Sequence, residues 1–403
     1  MKKIATIVVL VTGVFLVSYS MAFGQDNDGR DGLTEDIRKL ERRIEDLEQR
    51  PSNDEASSGW AQKVAIHGKL AGAYQYESIS GPANAESVGR GAVPLTVDVS
   101  ITPTDADEVF FSLGFTAGNG LNGVTALTLS PWAANMEDDV KNINGRNRDY
   151  LLTAGYKHTF TIGKDASLGL TGGIIDATGY LDRNAYANDQ DAQFMNGALV
   201  NGPNGFAPSY DIGGAAEWGY GPIYVNAVVM DVGKNDDGNN YTFYGIEVGY
   251  NLSTPLGEGT YRVIYEGGSK AFINTAGTAL AERRALFLSL DQQVGSGWGI
   301  WLRLGTQTKD AAVEFGDIYS GGVDIKGGLW GREQDNIGIG YGYLNGGDTG
   351  TKNAQIGEAY VRFALSELFA LTLDVQYQDN RYDAGAGTDT TGWVYGTRGV
   401  VAF

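Results

Sequence analysis

Cysteine is absent from all 403 residues, and histidine occurs only at His67 and His158. Without Cys there is no disulfide framework, so stability must come from elsewhere. No Gly-x-Ser-x-Gly elbow or His-Glu-x-x-His helix accompanies the two histidines, and an enzyme is therefore not expected. No catalytic residue, cofactor or metal site is assigned. "KNDDGNN" (234–240) has the composition of a calcium loop but lacks the ligand spacing of an EF-hand. A basic patch is missing too. The formal charge is −19, and −21 without Lys2 and Lys3, which argues against a nucleic-acid partner. After Gln25 there is no apolar run of 18 residues, which excludes helical membrane spans. It does not exclude strands, because a barrel strand crosses in about 9–11 residues of which half face inward.

What is present is aromatic and glycine-rich. Gly supplies 59 residues, about twice the usual share of roughly 7%. With 42% hydrophobic and 11% aromatic residues, the chain is not of the disordered acidic class. Lys2 and Lys3, the apolar run Ile4 to Val17 and the small residues around Ala22 and Gly24 form a secretory leader over 1–24. Residues 25–59 hold one helix and a polar linker. In 33–50, Leu33, Ile37, Leu40, Ile44 and Leu47 recur at 4-3-4-3 spacing, a heptad seam of a periplasmic coiled coil. Ile at a with Leu at d favours two strands. Arg43 through Glu48 instead resembles a short trimer motif, in which an Arg stem covers the a layer and pairs with a neighbouring Glu. The helix is expected to reinforce a homotrimer or to contact peptidoglycan or another periplasmic partner.

From residue 60 the period changes to 2 and stays there to residue 403. Leu95, Val97, Val99 and Ile101 alternate with Thr96, Asp98 and Ser100, and Leu371, Leu373, Val375 and Tyr377 with Thr372, Asp374 and Gln376. Strands are expected near 63–77, 93–102, 108–117, 148–161, 167–176, 210–219, 222–231 and 241–252. Eight more follow near 259–267, 282–293, 297–307, 316–330, 335–345, 356–366, 369–378 and 392–403. The connections alternate between tight turns such as "GKDA", "YGP" and "GSG" and looser segments at 118–147, 177–209, 268–281 and 379–391. A β-sandwich has no reason to gather its long loops at one end. The pattern is that of an all-β, 16-stranded antiparallel transmembrane β-barrel in the bacterial outer membrane, with lipid as its surroundings. Tyr156, Tyr250, Trp298, Tyr341 and Tyr343 suit interfacial girdles.

Sixteen strands enclose more space than side chains fill, so the lumen should hold water. Asp98, Glu247, Arg262, Glu266, Arg303, Glu358, Arg362, Asp374, Gln376 and Arg398 fall opposite the apolar faces. They are expected to line a mixed-charge pore that binds hydroxyl-rich solutes, with Trp301 and Trp330 also turned inward. The loop over 177–209 is too long for a mere connector. Its Asp, Asn, Gly and aromatic content suits a segment folded into the opening. The C-terminal "GWVYGTRGVVAF" ends on the aromatic Phe403. It reads as strand sixteen closing on strand one, with Arg398 turned into water and Phe403 at the rim as an assembly signal.

Three segments carry a family resemblance. "DRNAYANDQDAQFMN" (182–196), "YSGGVDIKGGLWGREQDNIGIGYGY" (319–343) and "GEAYVRFALSELFALTLDVQYQDN" (357–380) resemble, in order, blocks of the OprB-like carbohydrate-selective porins. The resemblance implies a barrel that passes small sugars by diffusion, often as a trimer. By it, Asp182, Asn184, Asn188 and Asp189 shape a constriction loop. Arg332 and Asp335 read as a local ion pair at a tight turn. The coiled coil and the ending "QYQDN" depart from the family pattern, which leaves a general or cation-preferring porin as the alternative.

Overall fold

The alternation that begins near residue 60 becomes sixteen strands among the described residues of the computed structural model, which are 63–82, 86–146, 150–202, 204–308 and 310–403. The expected leader (1–24) and heptad helix (Leu33, Ile37, Leu40, Arg43, Ile44, Leu47, Glu48) lie outside the described residues. The first eight strands are β1 (Val64–Ser80), β2 (Val88–Thr104), β3 (Asp107–Ala117), β4 (Leu151–Ile162), β5 (Ala166–Ile175), β6 (Asp211–Tyr220), β7 (Ile223–Lys234) and β8 (Asn240–Thr254). The second eight are β9 (Gly257–Ile273), β10 (Leu280–Val294), β11 (Trp298–Gln307), β12 (Phe315–Lys326), β13 (Asn336–Gly346), β14 (Thr351–Ala364), β15 (Phe369–Tyr382) and β16 (Thr390–Ala402). Each pairs antiparallel with its neighbours in sequence, and β1 pairs with β16, so the sheet is a closed barrel.

One face of every strand must meet an apolar surrounding, and the side-chain period of 2 sends the other face inward. Ile66, Val109, Leu170, Val229, Ile246, Val263, Leu286, Ile300, Ile339 and Leu373 stand exposed on the outside. Tyr250 and Trp298 are exposed close to the turn end of their strands, whereas Tyr156 and Tyr341 are exposed within theirs.

The turns joining β2 to β3, β4 to β5, β6 to β7, β8 to β9, β10 to β11 and β14 to β15 are short and lie at one end. At the other end, residues 118–150 (L2) and 176–210 (L3) are the two long loops. The looser segments expected at 268–281 and 379–391 shrink to 274–279 and 383–389, because β9 and β15 keep pairing as far as Ile273 and Tyr382. The strand expected over 316–330 stops at Lys326. A 3₁₀ turn over Gly327–Trp330 ends on Gly331 at φ 77°, a conformation that glycine adopts without strain. Trp330 is consequently exposed at this turn, not inside the barrel. In the same turn Arg332 grips Asp335 with two nitrogens, and Ala364 N donates to the same carboxylate at 2.8 Å. The guanidinium holds the Asp335 carboxyl below the usual carboxylate range.

The seam runs from Lys69↔Ala402 to Ser80↔Thr391. It is extended by one more residue, since Phe403 N donates to Gly68 O and Gly68 N to Phe403 O, both at 3.0 Å. The Phe403 ring covers Gly68, where a Cβ would stand 2.2 Å from the ring. Deleting Phe403 removes two backbone hydrogen bonds, each worth about 0.5–1.5 kcal/mol, together with this ring contact. The expected outcome is a lower yield of the heat-modifiable folded band on unheated gels, with unchanged single-channel conductance in the barrels that do assemble.

Candidate functional site

The interior is occupied at mid-height by L3, and the wall explains why. Inward-facing positions of β7 to β14 carry apolar side chains toward the loop end. Val228, Met230, Phe243, Ile264 and Phe287 form a buried cluster with Ala177 and Leu181 of L3, and Phe206 packs against it. Ile318, Leu344, Ile356 and Trp301 form a second with Ala187, Phe194, Leu199 and Val200. Phe194 meets Trp301 and Tyr360 edge to face at 5.6 and 5.2 Å. L3 therefore has its own hydrophobic core inside the barrel.

A loop buried this way must satisfy its backbone polar groups, and the wall charges do so. Arg303 Nε donates to Asp182 Oδ2 at 2.7 Å, and its terminal nitrogens donate to the carbonyls of Ala187, Leu199 and Val200 at 2.5, 2.9 and 3.2 Å. Glu358 accepts from Met195 N and Asn196 N at 2.5 and 3.0 Å. Glu247 accepts from Asp182 N at 2.7 Å, and Glu266 from Phe206 N at 2.6 Å. Arg262 donates to Arg183 O at 2.7 Å and to Asp291 at 2.5 Å. Arg398 donates to the carbonyls of Gln190 and Gln193 at 2.6 and 3.0 Å. Gln376 links Asp374, Asn196 and Pro131 O of L2. Such charge-assisted bonds are about twice as strong as neutral ones.

These placements differ from the expectation of a water-facing charged wall. Glu247, Arg262, Glu266, Arg303, Glu358, Asp374 and Arg398 are all buried. Arg398 in particular does not turn into water. Of the expected set, Asp98 is exposed, and Arg362 is half-buried at the turn end, where it donates to Gln334 O. Among the L3 residues, Asp182 sits at φ 56° and faces Arg303. Asn184 bonds Ser289 Oγ and Leu290 O at 3.2 and 3.1 Å. The amides of Asn188 and Asp189 share Gln193 Oε1, and the Asp189 carboxylate caps the amides of Asp191 and Ala192.

L2 contains the short helix α1 (Glu137–Lys141), and L3 contains α2 (Gly197–Val200). The two loops are joined by Ala133 N to Met195 O, Gly197 N to Ser130 O and Trp132 Nε1 to Gln190 O, at 2.9, 3.0 and 3.0 Å. Between this double loop and the wall of β1 to β4 lies an open cleft of ≈ 240 Å³. Its wall side presents Lys69, Thr96, Asp98, Ser112 and Thr153. Its loop side presents Asn135, Asp176, Gln190, Asp191 and Tyr210. Lys69 Nζ bridges to Asp191 at 2.6 Å across the cleft. Asp176 accepts from Thr178 N and Oγ1 at 2.9 and 2.8 Å, and burial pushes its carboxyl up. Apart from Asp98, these residues were not among those singled out in sequence. The available signal was parity, since Lys69, Thr96 and Ser112 share the inward face.

The OprB family model, that of carbohydrate-selective porins, matches residues 138–380. An uncharacterized protein of Aquifex aeolicus (strain VF5) is 26% identical over 282 residues, which is 68% of this chain and 79% of that one. The high-pH structure of Pseudomonas putida OprB superposes with a TM-score of 0.66 at 13% identity, covering 85% of this chain and 95% of its own. That likeness is one of fold.

If the buried charges hold L3, Arg303→Met should free three loop carbonyls and strand Asp182. Breaking a buried pair costs about 3–5 kcal/mol. Limited proteolysis should then cut within 182–200 in the variant and spare the wild type, while heat-modifiability shows that the barrel persists.

Proposed function

This chain belongs to the OprB family of carbohydrate-selective porins, a family of outer-membrane channels rather than enzymes, and from that membership we propose that small carbohydrates diffuse through the cleft between L3 and the β1–β4 wall. The observation that carries the reading is the position of that cleft. L3, anchored by buried charges to β8 through β16, and L2, held by Gln376 and Gln378 and bonded to L3, fill the far side of the lumen and narrow the route to a gap lined by hydroxyl, amide and carboxylate groups. Such groups exchange hydrogen bonds with sugar hydroxyls in place of water. A rigid loop keeps the gap at one width. Asp182, Asn184, Asn188 and Asp189 act here by shaping L3, and Glu247, Arg262, Glu266, Arg303, Glu358 and Arg398 by anchoring it; Asp98 meets the solute.

Planar-bilayer recordings with glucose and maltose test this. Concentration-dependent block of the ionic current is the expected result. An unblocked, strongly cation-preferring current would favour the general porin.

We also propose that residues 33–50 reinforce a trimer built on the barrel. The five-layer heptad seam, with Arg43 and Glu48 placed for an interchain pair, supports this. Deleting 25–58 should convert trimers into monomers on native gels; retained trimers with a detached envelope would instead assign the helix to peptidoglycan tethering.

A further inference from the structure

We propose that Asp98 makes the cleft sort hydroxyl-rich solutes by charge, passing those that bear an ammonium group ahead of neutral ones and neutral ones ahead of carboxylates. The inference rests on the cleft being the solute path.

Charged side chains reach the cleft from Lys69, Asp98, Asp176 and Asp191. Two of them cancel, since Lys69 and Asp191 are paired at 2.6 Å. Asp176 is turned into L3, where Thr178 supplies both of its hydrogen bonds and burial disfavours its charge. Asp98 differs from all three. It sits on the inner face of β2, exposed, and its carboxylate has no ion pair or hydrogen bond among the described residues. Across the strand pair its register partner is His67. The neighbouring groups on the wall are the hydroxyls of Thr96, Ser112 and Thr153. Those hydroxyls accept any sugar and are indifferent to its charge. Lys69 also senses Asp98 but is already paired with Asp191, and a carboxylate in excess of the one ammonium in a narrow aqueous gap is not indifferent. At contact distance in water a unit charge changes the local population of a monovalent solute about fivefold, upward for a cation and downward for an anion.

The test uses three solutes of matched size that differ in charge: glucosamine, glucose and glucuronate. Their uptake is measured at pH 7 into liposomes carrying the full-length protein. The expected order is glucosamine, then glucose, then glucuronate, with about fivefold between neighbours. Asp98→Asn should draw the three rates together. Because the chain has no native cysteine, Asp98→Cys offers a single thiol that can be modified after the barrel has folded. A sulfonate-bearing thiol reagent should restore the wild-type order, and a trimethylammonium-bearing one should reverse it. Equal rates in the wild type, or an undiminished spread in Asp98→Asn, overturn the proposal. A bulky neutral maleimide on Asp98→Cys should slow all three solutes. If it slows none, solutes do not cross this cleft, and the pore reading fails with it.

Discussion

A strand in hydrocarbon has no water to satisfy its backbone, so a sheet placed there must have no edge. The pairing of β1 with β16 meets that demand, and the rest of the molecule follows from it. Sequence neighbours joined as hairpins pair antiparallel all the way round. Closure imposes an apolar outer face, here the exposed Ile, Leu and Val belt, and it concentrates polar side chains inside. The last residue takes part, since Phe403 adds two backbone hydrogen bonds beyond the regular register and lays its ring over Gly68.

Sixteen strands enclose more space than their own side chains fill. L2 and L3 fold into that space, and folding inward is costly for a loop because its N–H and C=O groups leave water. The strand charges compensate. Arg303 and Arg398 collect loop carbonyls, while Glu247, Glu266 and Glu358 collect loop amides. Each sign of charge is matched to the end of the peptide group that it can bind. Charge that alternation assigns to the lumen wall is therefore bound to L3. In the proposed route, the smaller polar side chains of the wall that the loops leave uncovered meet the solute.

Much of this architecture was legible in the chain, and particular elements show why. All sixteen strands are detectable because alternation over ten or more residues has no other solution at the membrane, and the parity that turned Asp98 inward holds in three dimensions. Boundaries were less legible. The segment 316–330 reads as one strand, yet its pairing with β13 stops at Lys326↔Asn336 and Gly327 to Gly331 turn beyond that pair. The inward apolar residues Val228, Met230, Ile318 and Ile356 were a readable sign that something other than water fills the barrel.

By itself the sequence determined that the chain forms a closed barrel, which face of each regular strand turns inward, and which loop is long enough to enter. Those properties depend on local period and on length. Tertiary structure alone decided which inward charges meet water and which meet backbone. Parity distinguishes only inside from outside. Whether Arg303 or Asp98 faces a solute depends on which strands L3 lies against, and so on contacts between residues more than a hundred positions apart.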